Sequence, residues 1–263
     1  MVEMLTQGQY DLVFNVFSLV TAGMFAAAIF FILARREVAP KHRMALTLST
    51  LVVSIAAYHY FRITGAWEAA FQFVGGEYLP TDRPFNEGYR YADWLLTVPL
   101  LLLELVVVLG VSRQLTRSLA TKLIVAAVAM IALGYPGEVA ATDDPAKWIW
   151  FTLSMIPFLY IIYVLYTQFG EALSRQSDRV RALFGSLRTI ILVTWSVYPL
   201  AFLAPYLALD PATTEVIRQV GYGVADLVAK PAFGVLLFFI ARQKSVEEGW
   251  IRGSDEQRVE AAA

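Results

Sequence analysis

The stretch RYADWLLTVPLLLLE, residues 90–104, sets an arginine, an aspartate and a glutamate inside an otherwise apolar run. With its flanks the run covers residues 86–110, and at ~1.5 Å of rise per residue such a helix crosses the ~30 Å hydrocarbon core of a bilayer. Six further runs of that kind lie at residues 10–34, 44–66, 119–141, 148–170, 183–209 and 216–241. The expected fold is therefore an all-α membrane protein, a seven-transmembrane-helix bundle. The composition agrees, with 58% hydrophobic residues, 16% charged residues and a mean hydropathy of +0.57, too apolar for an ordinary water-soluble domain. The joins RREVAPKHR (35–43), GGEYLPTDRP (75–84), TDDP (142–145) and LDPAT (209–213) carry turn and charge signals. No repeat or second domain is visible, so residues 1–244 read as one membrane domain and residues 245–263 as a short polar cytoplasmic tail.

A net charge of -1 and a pI near 6.2 offer no basic field for nucleic acid. The absence of cysteine excludes disulfides, thiolate nucleophiles and Cys-ligated zinc, and two histidines argue against a His-rich metal site. The first nine residues hold Glu3 and no Lys or Arg, and the run after them is long enough to span. A cleaved signal peptide is accordingly not expected. Orientation follows from the basic residues. Fifteen of the 21 fall at the loops after spans one, three and five, beside them, or in the tail: Arg35, Arg36, Lys41, Arg43, Arg113, Arg117, Lys122, Arg175, Arg179, Arg181, Arg188, Arg242, Lys244, Arg252 and Arg258. This bias predicts the N-terminus outside and the C-terminus inside.

An ionisable side chain in the hydrocarbon costs ~2.5–3.5 kcal/mol even on lenient insertion scales, so each one is a functional candidate. Span three carries Arg90, Asp93 and Glu104, span seven carries Asp226 and Lys230, and span two carries His59 with Arg62 one turn further out. The spacings put Asp226 and Lys230 on one helix face and Arg90 and Asp93 on another, so two cations can face two anions. An ion-pair clamp between helices is the bland alternative; it does not require a lysine at mid-membrane. Glu104 follows Asp93 by 11 residues, three turns or ~16 Å along the same stripe. With the direction above, Asp93 lies in the outer half, Glu104 in the inner half and Lys230 between them. Glu104 has no basic residue within a turn, so it is expected to rest protonated as a proton donor. Asp93, beside Arg90, is expected to rest ionised and able to accept. Pro199 and Pro231 have no N–H to offer Trp195 and Leu227, which leaves slack in the inner halves of spans six and seven.

The run at residues 90–104 resembles the third helix of the microbial rhodopsins, bacteriorhodopsin and above all proteorhodopsin and xanthorhodopsin. DLVAK (226–230) is similar to the segment in which that family attaches retinal, and YHYFR (58–62), WSVYP (195–199) and GYPG (134–137) also match, in order along the chain. The resemblance implies all-trans retinal on Lys230 as a Schiff base, balanced by Asp93 and Asp226, with Asp93 as primary proton acceptor. Thr97 takes the hydroxyl position one turn inward, and Asp93, Thr97 and Glu104 match the pattern of the eubacterial proton pumps, which implies Glu104 as internal donor. His59 matches the histidine that hydrogen-bonds the acceptor in the proteorhodopsin and xanthorhodopsin branch. Trp94, Trp195, Tyr198 and Phe202 would sandwich the polyene, Met130, Gly134 and Ser154 would line its ring end, and Leu101 sits where leucine accompanies green absorption. The implied function is a light-driven outward proton pump in the plasma membrane, a multi-pass transporter among lipids and not an enzyme, assembled as trimers or pentamers.

Three positions depart from the pattern. Phe151, in WIWFT (148–152), stands where antenna-binding relatives keep a glycine, so no carotenoid antenna is expected. Arg218 holds the place of one outer glutamate of bacteriorhodopsin's release pair, with Glu215 a turn further out as a substitute. Glu138 is expected to be a solvated outer-end residue. The rival in another class is a photosensor signalling through a partner protein; such a sensor needs no Glu104. An unpigmented transporter with an ion-pair clamp is a third reading.

Overall fold

The computed structural model describes residues 4–207 and 209–250; Arg252, Arg258 and residues 251–263 of the expected tail lie outside the described residues. Among the described residues, seven helices are long and apolar enough to cross a membrane. They are α1 (Gln7–Ala34), α2 (Arg43–Ala70), α3 (Gly88–Leu109), α4 (Arg113–Val139), α5 (Pro145–Leu173), α6 (Asp178–Leu203) and α7 (Pro211–Glu247). Several begin three to six residues before the apolar run does, because a helix starts at its cap and not at the edge of the hydrocarbon. Thr6, Ser112, Asp144, Ser177 and Asp210 each accept a backbone N–H of the first turn. Such a cap contributes ~1 kcal/mol.

Two elements differ from expectation. α6 ends at Leu203 and not near residue 209; a 3₁₀ turn over Ala204–Tyr206 follows, since Pro205 has no N–H to continue the helix. The segment after α2 is ordered as a hairpin, β2 (Phe71–Val74) and β3 (Glu77–Pro80), with β1 (Leu5–Thr6) added in the order β1-β3-β2. Gly75 and Gly76, at φ 64° and 98°, make its turn, a conformation that favours glycine. Tyr10 of α1 stacks on Tyr78 of β3 with centroids 3.7 Å apart, tying the hairpin to the bundle.

The helices pack in chain order, and α7 closes the ring against α1. Along α7, α-helix over Pro211–Leu227 gives way to a π turn over Val228–Ala232 and resumes over Phe233–Glu247. The slack expected at Pro231 is thus realised as one widened turn holding Lys230. Beyond it α7 continues to Glu247. Lys244 is buried and donates to the carbonyls of Val108 (3.2 Å) and Leu109 (2.9 Å), capping α3, while Ser245 Oγ accepts the Ala39 N–H at 2.9 Å.

Candidate functional site

Lys230 projects from the widened turn of α7 into the bundle and is 2% exposed. Its Nζ donates to Asp93 Oδ2 of α3 at 2.7 Å and lies 2.9 Å from Asp226 Oδ1, one turn back on its own helix. The two carboxylates are held differently. Asp226 accepts from Tyr198 Oη (2.6 Å) and Trp94 Nε1 (3.3 Å) on Oδ1 and from Tyr60 Oη (2.7 Å) on Oδ2. Asp93 Oδ1 is buried and has no hydrogen-bond partner. One carboxylate is saturated with donors, and the other keeps an oxygen open.

Arg90 does not stand against Asp93, contrary to the expectation from their spacing. Its guanidinium turns toward the N-terminal end of α3, donating to Gln219 Oε1 and to Tyr60 Oη (3.2 Å), with Glu87 Oε2 3.4 Å from Nε and the Tyr222 ring 4.8 Å away. The arginine side chain is long enough to bypass the nearer carboxylate, and Lys230 already occupies it. Thr97 and His59, named by the resemblance, each bond a backbone carbonyl four residues away on their own helix. Thr97 Oγ1 donates to the Asp93 backbone carbonyl at 2.9 Å. His59 Nδ1 stands 3.7 Å from Asp93 Oδ1, beyond hydrogen-bond reach, and bonds the Ile55 carbonyl at 3.0 Å. A carbonyl four residues back on the same helix is the nearer partner for that nitrogen.

Glu104 is fully buried further along the α3 stripe. Ser49 Oγ of α2 donates to its Oε2 at 2.7 Å, and Oε1 has no partner. Among the described residues no cation lies within ion-pair distance of it. The expected stripe therefore exists, with an amine-bound aspartate at one level and a lone carboxyl three turns away.

On the other side of the site lies a network only partly foreseen. Arg218 reaches Glu87 Oε1 at 2.5 Å, Glu138 Oε1 at 3.5 Å and Glu215 Oε2 at 3.7 Å. Glu138 is not a solvated outer-end residue: its side chain is 6% exposed, because α4 turns it inward onto this guanidinium. Glu87 stands just outside the third span. Burial pushes its carboxyl up, but the Arg218 and Arg90 guanidiniums and the Gln219 amide outweigh this and hold it below the usual carboxylate range. Tyr60, Ser49, Glu87 and Gln219 were not singled out by sequence. For Gln219 a signal existed, since it precedes Asp226 by seven residues and so shares its helix face.

From Lys230 a cavity runs between α3, α4, α5, α6 and α7. Its wall includes Trp94, Leu101, Met130, Gly134, Ser154, Trp195, Tyr198 and Phe202, together with Phe151 and Glu138. All the side chains read from sequence as a cage thus meet in one space. At the far end a Cβ on Gly134 would lie 3.3 Å from Ser154 Oγ, so the glycine keeps that end open.

Over residues 12–244 the sequence matches the bacteriorhodopsin-like protein family. The chain belongs to this family. A blue-light absorbing proteorhodopsin from Gamma-proteobacterium Hot 75m4 is 35% identical over 231 residues, covering 87% of this chain and 86% of the relative. The crystal structure of xanthorhodopsin, a light-driven ion pump with dual chromophore, superposes at TM-score 0.90 with 50% identity, covering 95% of this chain and 99% of that one. A thermophilic rhodopsin gives TM-score 0.91 and 50% identity over 95% and 100% of the two chains. These relatives are light-absorbing proteins and ion pumps, not enzymes. A rhodopsin implies a retinal chromophore, and the residues present fit one: a buried amine ends an aromatic cavity whose other end is relieved by Gly134.

Proposed function

We propose that this rhodopsin is a light-driven pump exporting protons, with retinal held on Lys230 as a Schiff base. The observation that carries the reading is one amine flanked by two carboxylates of unequal saturation, with a third carboxyl alone on the opposite side. Bound retinal supplies light absorption and an isomerisation that moves the Lys230 nitrogen relative to its partners. The chain's own groups do the rest. At rest the Lys230 nitrogen holds a proton between Asp93 and Asp226. Asp226, held by Tyr60, Tyr198 and Trp94, keeps its charge, so Asp93 receives the proton on its open Oδ1. Glu104, kept protonated by its dry surroundings and oriented by Ser49, returns a proton to the nitrogen and refills from the inner side. His59 and Thr97 frame the acceptor, and Arg90 links Tyr60, which bonds Asp226, to Gln219.

The direction of export rests on the basic residues, which favour an outer N-terminus and an inner C-terminus; we place the protein in the plasma membrane, with residues 1–244 as the membrane domain and the remainder as a cytoplasmic tail. The family suggests a trimer or pentamer. Phe151 supports a closed cavity wall without a carotenoid antenna, and Leu101 a green-absorbing pigment.

The test is expression with added retinal in cells whose external pH is recorded under illumination. Acidification outside, abolished by a protonophore, by Lys230→Ala with loss of colour, and by Asp93→Asn with colour retained, is the expected result. A coloured protein that moves no protons would instead favour a sensor, and alkalinisation would reverse the orientation.

A further inference from the structure

The buried polar groups outside the pump's central triad form a second assembly, and one fully buried residue joins the two. Gln219 is 0% exposed. Its Oε1 accepts from Arg90, while its Nε2 donates to Glu87 Oε1 at 2.6 Å and to Glu215 Oε1 at 2.8 Å. A carboxamide is the neutral side chain that can accept from a cation at one end and donate to anions at the other. On the inner side Arg90 reaches Tyr60 Oη, which donates to Asp226 Oδ2. A continuous hydrogen-bonded path thus runs from the site at Lys230 through Tyr60, Arg90 and Gln219 to the carboxylates around Arg218.

We propose that Gln219 is a positioning residue for the outward leg of transport: it holds the Arg90 guanidinium away from Asp93 and joins it to the outer carboxylates, through which the exported proton leaves. The inference rests on the pump reading above. Five carboxylates (Glu87, Asp93, Glu138, Glu215 and Asp226) face four cations (Arg90, Arg218, Lys230 and, on the Glu138 side, Lys147) in this region, so the assembly has acceptor capacity beyond its cations. The proton that leaves the Asp93 carboxyl is taken by a carboxylate of the outer group and passes from it to outer water; nothing is oxidised or reduced. Without the amide, Arg90 keeps Tyr60 and the longer contact to Glu87 but loses its short link to the outer group; the guanidinium is then less firmly held away from Asp93, and a turn toward it would hold the acceptor's charge and break the path.

The experiment follows a light flash in retinal-loaded protein in liposomes, timing deprotonation of the Lys230 nitrogen by the visible band and proton appearance outside by a pH-indicating dye. In Gln219→Leu and in the near-isosteric Gln219→Met, the proton should appear outside about tenfold later than in wild type, the order expected for one lost hydrogen bond to a charged group. The reprotonation phase assigned to Glu104 should keep its wild-type rate, which a merely loosened bundle would not allow. Glu87→Gln and Glu215→Gln test the same link from its other side and should delay appearance in the same way, so the result does not hang on one variant folding. Wild-type timing in every coloured variant would overturn the inference while leaving the pump intact. A wild type that is uncoloured or moves no protons would overturn the pump reading and the inference with it.

Discussion

At the scale of single residues the site is organised by how many donors each carboxylate meets. Asp226 has three neutral donors and the lysine, Asp93 has the lysine alone, and Glu104 has one serine hydroxyl. From this the Glu104→Gln variant should keep its colour and its first proton transfer, while the ground state returns at least ~10-fold more slowly, the order seen when a positioned proton donor is removed; time-resolved absorbance checks it, and recovery at the wild-type rate would remove the donor role. These residues were legible in sequence because a charge in hydrocarbon is costly and therefore conspicuous. Their partners were not. Spacing along α3 suggested that Arg90 attends Asp93, but a long side chain chooses among groups from several helices, and here it chose Gln219 and Tyr60.

At the scale of elements, α7 carries the chemistry and the closest packing together. A Cβ on Gly234 would fall inside van der Waals contact with the ring of Phe31, itself fully buried on α1. Gly234→Ala should therefore destabilise the folded protein by ~1–3 kcal/mol, read as earlier loss of the visible band on heating. The C-terminal end of α7 is latched as well. Glu248 lies 2.9 Å from Lys41 Nζ and 3.1 Å from His42 Nε2, with Trp250 beneath Arg43. Burial pushes the Glu248 carboxyl up, but the Lys41 ammonium and the His42 ring outweigh it and hold the group below its ordinary value. A depressed folded value means that the latch contributes fully above the unfolded carboxylate value of ~4.3 and is lost as pH falls through the lower folded one. Trp250 fluorescence should hence stay constant from neutral pH down to that range and change below it, and Glu248→Gln should abolish the transition. Neither the latch nor the hairpin after α2 was read from sequence, although GlyGly at 75–76 marked the turn; short strands and end contacts carry too few residues for a periodic signal.

At the scale of the whole molecule, the seven spanning helices of the described residues close a ring, and what the cavity that begins at Lys230 admits depends on its wall. Phe151 and Phe202 stack at 4.4 Å with their planes 16° apart, and Trp148 packs edge-on against both. If these rings exclude an antenna as proposed, a ketocarotenoid added to the purified pigment should transfer no excitation to retinal; a carotenoid band in the fluorescence excitation spectrum would show the wall to be open. The number of spans, their approximate limits, their expected direction and the identity of the costly charges all followed from sequence, because the bilayer imposes a length and a polarity on each helix separately. Which donors each charge receives, how Glu138 turns inward onto Arg218, and how Gln219 bridges two ionic groups were decided only by tertiary structure. The interhelical contacts among them join residues 28 to 166 positions apart in the chain, and no property of one helix specifies which face of another it will meet.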